Sequence, residues 1–440
     1  MPASYHLTHL PNGLRVATAE MPHMTSVCVG LWAGVGGRFE PAELNGVSHF
    51  IEHMLFKGTR RRSARQIAEA VEGVGGTLDA FTDADHTCFY ARAGHERLEN
   101  VLEVLCDMFL RSEFAPEEIE KERDVIMEEV AMYLDQPHLH VQELLNEALW
   151  PNHPLGRCLT GTEKTVRGLT REQMIAFKRR NYVAGNCLVT VAGRARHDQV
   201  ERAVKRLTRG FPTGTAPACL PATSPMAGPR VRVHRRAVEQ TQLELGFQTC
   251  SRRDDRRFAV RLLNAMLGDN TMSRLFQTLR EDHGLVYAIH SSLSLYDDAG
   301  ALTISAGLDH DSLPKVLRLI LGETRRFTET APSMAELRRA RDYVIGQQEL
   351  GLENTETQMN WLGEHLLGYG TVPNPGAALR KLTTVTPAQI RAVAADCLRL
   401  ERVSGALVGP AAGSGGLAKL IRGSLGSGHR PWRRAGGCRG

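Results

Sequence analysis

The chain has 440 residues, 42% hydrophobic and 23% charged, values of a folded globular protein rather than a disordered or fibrous one. Its net charge of +5 is modest and comes largely from the last residues, so no nucleic-acid role follows. No apolar run approaches 18 residues, which argues against a membrane span, and nine scattered cysteines argue against a disulfide framework. The length exceeds one typical core and calls for at least two domains.

The N-terminus runs almost directly into a strand-like stretch, Gly13 to Thr18. It has neither the plan of a secretion signal nor that of a transit peptide, and the expected address is the cytoplasm of a bacterium. A second strand-like stretch, 26 to 32, follows; Cys28, and further on Cys88 and Cys187, read as small core residues. Residues 46 to 57 then read as a helix, with Asn45 as its N-cap and Gly58 as its stop. Val47, Phe50, Ile51, Met54 and Leu55 give it a face to bury. This helix carries His49, Glu52 and His53, the pattern His-x-x-Glu-His. Histidines four apart point the same way and can pinch one metal ion, and Glu52 stands beside the open position, where it can take a proton from water.

After a second helix near 64 to 74, Gly75 to Thr82 alternates behind a double glycine, as an accessible edge strand does. Leu78, Asp79, Ala80 and Phe81 are therefore the candidate positions for pairing with an extended peptide. Further strands lie between 77 and 93 and helices at 95 to 110 and 116 to 135, the latter opened by Pro116 and two acids. On the last helix Ile119, Glu122, Ile126, Glu129 and Tyr133 share one stripe. Two carboxylates on a core-directed face call for a cation. Glu129 is the candidate third metal ligand and Glu122 the group behind the ligands, because catalytic zinc usually takes three protein ligands and a water. Pairing of both acids with arginines is the plainer alternative, and Glu128, about 100° off the stripe, is the rival ligand.

Pro212 to Pro229 holds five prolines and reads as a linker. Beyond it the order of elements repeats: a strand at 242 to 248, helices at 255 to 267 and 271 to 282, strands at 285 to 295 and 299 to 308, helices at 311 to 328 and 333 to 367. The expected plan is α+β, two homologous halves, each a mostly antiparallel sheet covered by helices. Residues 1–211 form the metal-binding half, 212–229 the linker, 230–410 a half without the motif, and 411–440 a mobile basic Gly-rich tail.

His49, Glu52, His53 and a glutamate 76 residues beyond His53 resemble the pitrilysin/insulinase-type zinc peptidases, in the branch of the mitochondrial processing peptidase and its bacterial relatives. The flanking stretches 46–59 and 122–132 resemble it too, and the similarity runs from about residue 6 to about residue 410. The resemblance implies a zinc endopeptidase with one Zn2+ per chain, acting on peptides or unfolded segments in a chamber built by two chains. The partner is a second copy or a metal-free relative. It also implies that Arg280 and Tyr287, in the second half, bind substrate backbone and stabilise the oxyanion. Family members more often have asparagine where this chain has Asp79, which leaves subsite preference open. Some members are scaffolds or recognition subunits without catalysis; they typically lose ligands that this chain retains.

Overall fold

Ser26–Ala33 shows how the chain builds its first sheet. Val27, Val29 and Leu31 point into one core, whereas Cys28 and Trp32 point into another on the opposite face. A strand buried on both faces reads as a continuous apolar run, which is why its period of two is masked in the sequence. The computed structural model describes residues 3–222, 230–372, 374–410 and 414–426.

Eleven strands form two sheets among the described residues. The first holds β1 (Ser4–His9), β2 (Arg15–Glu20), β3 (Ser26–Ala33), β4 (Thr77–Thr82), β5 (Thr87–Gly94) and β6 (Cys187–Gly193), in the order β1-β2-β6-β3-β5-β4. The second holds β7 (Val231–Arg235), β8 (Thr241–Thr249), β9 (Val286–Leu295), β10 (Gly300–Leu308) and β11 (Ser404–Gly409), in the order β7-β11-β8-β10-β9. Only β2–β6 and β7–β11 are parallel; every other pair is antiparallel. Without β1 the two orders superimpose, so β9 occupies in the second sheet the edge that β4 occupies in the first. The chain is thus two related halves, each a mostly antiparallel sheet covered by helices.

The halves exchange cover. Helix Pro137–Leu149, from the first half, lays Val141, Leu145 and Leu149 on Ala301, Ala406 and Val408 of the second sheet. Helix Thr355–Tyr369, from the second half, lays Met359, Leu362 and Leu366 on Cys28, Trp32 and Leu188 of the first. The approach is close: a Cβ at Gly363 would lie 2.3 Å from the Trp32 ring.

Three expectations need correction. The helix expected over 333 to 367 is two, Met334–Gly351 and Thr355–Tyr369, because the Asn354 side chain accepts N–H groups of Glu356 and Thr357 and starts a new helix. The segment 271 to 282 is not a regular α-helix; Phe276–Glu281 is a π-helical turn. The tail expected to be mobile from 411 contains a helix, Ser414–Gly426, whose Leu417 and Ile421 are buried in the second core. Hydrophobic anchoring at positions four apart outweighs its glycines; residues 427–440 lie outside the described residues. The linker residues up to 222 are tied down, with Ala222 N–H donating to Asp298 and Arg38 donating to Leu220 O.

Candidate metal centre

Helix Val47–Leu55 buries Val47, Phe50, Ile51, Met54 and Leu55, the apolar face read from the sequence. Its N-terminus corrects that reading, since Gly46 rather than Asn45 is the cap residue. The buried Glu40 carboxylate accepts the N–H of Gly46 at 2.7 Å and of Ser48 at 2.8 Å, and the Asn45 side chain donates to it at 3.1 Å. An anion there satisfies donors that the helix cannot and sits at the positive end of its dipole. Gly46 has φ of 94° and a Cβ would come within 2.7 Å of Thr160 O, so only glycine lets the chain turn into the helix here.

The carboxylate helix spans Pro116–Asp135, as the sequence pattern predicts, with Pro116 in its first turn. Glu122 is buried, Glu129 half-buried and Glu128 exposed. Glu129 Oε2 lies 3.5 Å from His49 Nε2 and 3.7 Å from His53 Nε2. The three potential ligand atoms of His49, His53 and Glu129 all fall within 4.8 Å of one another. It is the one such grouping of His, Cys, Asp or Glu among the described residues.

Electrostatics explain why these atoms sit together. Burial, and then the neighbouring His53 ring, drive the His49 imidazole down to about 3, so it is neutral at ordinary pH and its approach to Glu129 is no ion pair. Burial pushes Glu122 up, but hydrogen bonds with His53 and Lys57 outweigh it and hold the carboxylate below its usual range. Glu122 accepts from Lys57 Nζ at 2.6 Å and faces His53 Nδ1 at 3.0 Å. An ionised acceptor requires the proton on Nδ1, which leaves Nε2 as the ring nitrogen that faces Glu129. Two imidazole nitrogens and a carboxylate oxygen that face one another without a hydrogen bond form an arrangement that a cation among them satisfies. The donor set, two imidazoles and one carboxylate, fits zinc.

Glu52 stands beside this cluster. Its Oε2 accepts a 2.5 Å hydrogen bond from Thr82 Oγ1, at the end of β4, and no other hydrogen bond to Glu52 occurs among the described residues. Burial raises its pKa, against the Thr82 bond and the His53 ring, while Glu129 and Asp79 raise it further. β4 is the free edge of the first sheet, paired on one side only, with β5. Leu78 and Ala80 turn inward against the first core, Phe81 packs on the opposite face near Trp32, and Asp79 is exposed. The Asp79 carboxylate is occupied locally, accepting from Ala80 N–H at 2.8 Å.

No hydrogen bond or ion pair joins Arg280 or Tyr287 to this cluster among the described residues. Arg280 lies over the Phe276 ring at 5.1 Å, and Tyr287, near the start of β9, is 74% exposed. Neither hydrogen-bonds to His49, Glu52, His53 or Glu129 among the described residues. Sequence reasoning missed three contributors. Lys57 follows His53 by four residues, a spacing that reveals it once Glu122 is placed. Thr82 shares the alternation of Leu78 and Ala80, and so their face of β4. Glu40 carries no sequence signal.

Residues 15–163 match the model described as "Insulinase (Peptidase family M16)", and residues 168–344 the one described as "Peptidase M16 inactive domain". A protein of Streptomyces coelicolor named as an uncharacterized zinc protease is 37% identical over 92% of this chain and 89% of its own length. A Mycobacterium leprae protein of the same description is 36% identical over 94% of each chain. Among solved structures, a protease from Helicobacter pylori shares the fold with a TM-score of 0.87 at 19% identity, over 93% of this chain and all of that one. A peptidase M16 inactive domain structure from Pseudomonas fluorescens does so at 0.86 and 19%, over 93% and 99%. The chain belongs to the insulinase family, peptidase family M16.

Proposed function

We propose that this chain is a zinc-dependent endopeptidase that cleaves peptides and unfolded protein segments. The observation that carries the reading is the convergence of His49, His53 and Glu129, with Glu122 fixing the tautomer of His53 and Glu52 standing beside them. His49, His53 and Glu129 hold one Zn2+ per chain. Zinc, when bound, makes water more acidic and polarises a carbonyl. Glu52 accepts the proton of the attacking water and returns it to the leaving nitrogen, the work of a positioned general base. The substrate lies extended along β4, its backbone pairing with the free edge at Leu78, Asp79, Ala80 and Phe81.

Arg280 and Tyr287 receive the substrate backbone and the developing oxyanion once the second half, or a partner chain, closes over β4. An exposed tyrosine is the state expected of a donor awaiting its ligand. The working unit is a dimer with a second copy or with a metal-free relative. No helix among the described residues is long and apolar enough to cross a membrane.

The test is a diverse peptide mixture incubated with the purified chain and, in parallel, with Glu52→Gln, the products being read by mass spectrometry. Cleavage by the wild type, lost by about 10²–10⁴-fold in the variant at unchanged zinc content, is the expected result. Equal cleavage by both removes Glu52 from its role. Zinc bound without cleavage by either favours a recognition or scaffold subunit.

A further inference from the structure

Thr82 belongs to two systems at once. Its backbone is the last residue of β4, paired with Thr87 of β5, at the edge where an extended peptide adds. Its side chain leaves the sheet on the face of Leu78 and Ala80, toward the motif helix, and its hydroxyl donates to Glu52 Oε2 at 2.5 Å. That bond holds one oxygen of a largely buried carboxylate and leaves Oε1 without a hydrogen bond among the described residues. A carboxylate held at one oxygen is restrained about its terminal torsion, which biases the direction in which the free oxygen presents its lone pairs. A general base needs that fixed direction, because small misplacements of a reacting group are costly.

We propose that Thr82 is a positioning residue that couples occupancy of the β4 edge to the aim of Glu52. The inference rests on the peptidase reading above. At Thr82 the strand turns into the hairpin to β5, closed by Asp83 N–H donating to His86 O at 2.8 Å, so the open side of Thr82 is the sheet edge, which has no strand partner among the described residues. A substrate strand paired along Thr77–Thr82 supplies partners on that open side and so holds Thr82 from both sides, and with it the hydroxyl that bonds Glu52. Binding energy gained far from the scissile bond thereby appears as a faster chemical step, and not only as tighter binding. No proton is exchanged with Thr82, whose hydroxyl remains the donor throughout. The proton of the attacking water goes to Glu52 Oε1 and then to the leaving nitrogen.

The experiment uses the full-length chain and two fluorogenic peptides sharing a scissile bond, one short and one long enough to pair along all of β4. In the wild type the longer peptide is expected to have the higher kcat as well as the lower KM. Thr82→Val, which keeps the shape and removes the donor, is expected to lower kcat by about 10- to 100-fold. Its KM should change by less than about 3-fold and its zinc content not at all, while the length-dependent gain in kcat disappears. Thr82→Ser is expected to restore both kcat and the length effect. A Thr82→Val enzyme with wild-type kcat and length dependence overturns the proposal, as does a loss that serine fails to rescue. If Glu52→Gln is inert while Thr82→Val is unaffected, the coupling is wrong and the peptidase reading stands. If Glu52→Gln remains active, the reading beneath it has failed instead.

Discussion

Both halves join the free edge of their sheet to a covering helix through a hydroxyl, and the partner differs. In the second half Ser291 of β9 donates to the side chain of Asn264, on helix Arg257–Leu267, at 2.7 Å. In the first half Thr82 of β4 donates to Glu52. Asn264 and Ser291 are both buried, and the bond between them closes a neutral polar pair inside the protein. Glu52 is a carboxylate with one oxygen unbonded, placed next to two histidines. One device of construction thus serves stability where the acceptor is a neutral amide. Where the acceptor is ionisable and left half-satisfied, it is free to serve chemistry.

Substitutions that separate these roles sharpen the contrast, and the largest effect belongs to the ligand set. Glu129→Gln is expected to abolish stoichiometric zinc, read by elemental analysis of dialysed protein, and to lower peptide cleavage at least about 10³-fold. Lys57→Met removes the cation that helps keep Glu122 ionised for His53. It is expected to weaken zinc by about 10-fold in chelator competition, as losses behind a ligand do. Asn264→Ala leaves the Ser291 hydroxyl buried without that acceptor and is expected to cost about 1–3 kcal/mol in urea unfolding. Its zinc content and its cleavage rate per folded molecule should match the wild type. If Asn264→Ala slows cleavage as strongly as Glu52→Gln, the two joints are not divided as proposed. Glu128→Gln, on the exposed side of the Pro116–Asp135 helix that carries Glu129, is expected to change zinc content and rate by less than about 2-fold.

How far the sequence could be read depended on the distance over which each feature is encoded. The bounds of Pro116–Asp135 were legible because a proline, two acids and an uninterrupted helical stripe all lie within the segment itself. Phe50, Ile51 and Met54 announced the buried face of the motif helix in the same local way, and Glu122 and Glu129 were conspicuous as acids on an apolar stripe. Glu40 was not legible, since a loop places its carboxylate at the helix end and no periodicity specifies that loop. The break at Asn354 carried only an ordinary capping residue inside a long helical pattern. The exchange of helices left no mark at all, because Val141 and Met359 would look the same on a helix covering its own half. The 2.5 Å contact between Thr82 and Glu52 joins residues thirty positions apart and follows only from the register of β4 beside the motif helix.

The exchanged helices impose an order in time. As the nascent chain leaves the ribosome, His49, His53 and Glu129 of the candidate metal centre have all been synthesised by residue 129. Once β6 has followed, the outer face of the first sheet, with Trp32 and Leu188, still lacks the cover that Met359, Leu362 and Leu366 provide. That apolar surface stays open to water until helix Thr355–Tyr369 has emerged and docked. A growing chain therefore carries all three candidate ligands long before it has a finished body to hold them. Truncation between residues 129 and 369 leaves a fragment with all three candidate ligands and an unfinished fold, whose expected fate is aggregation or degradation.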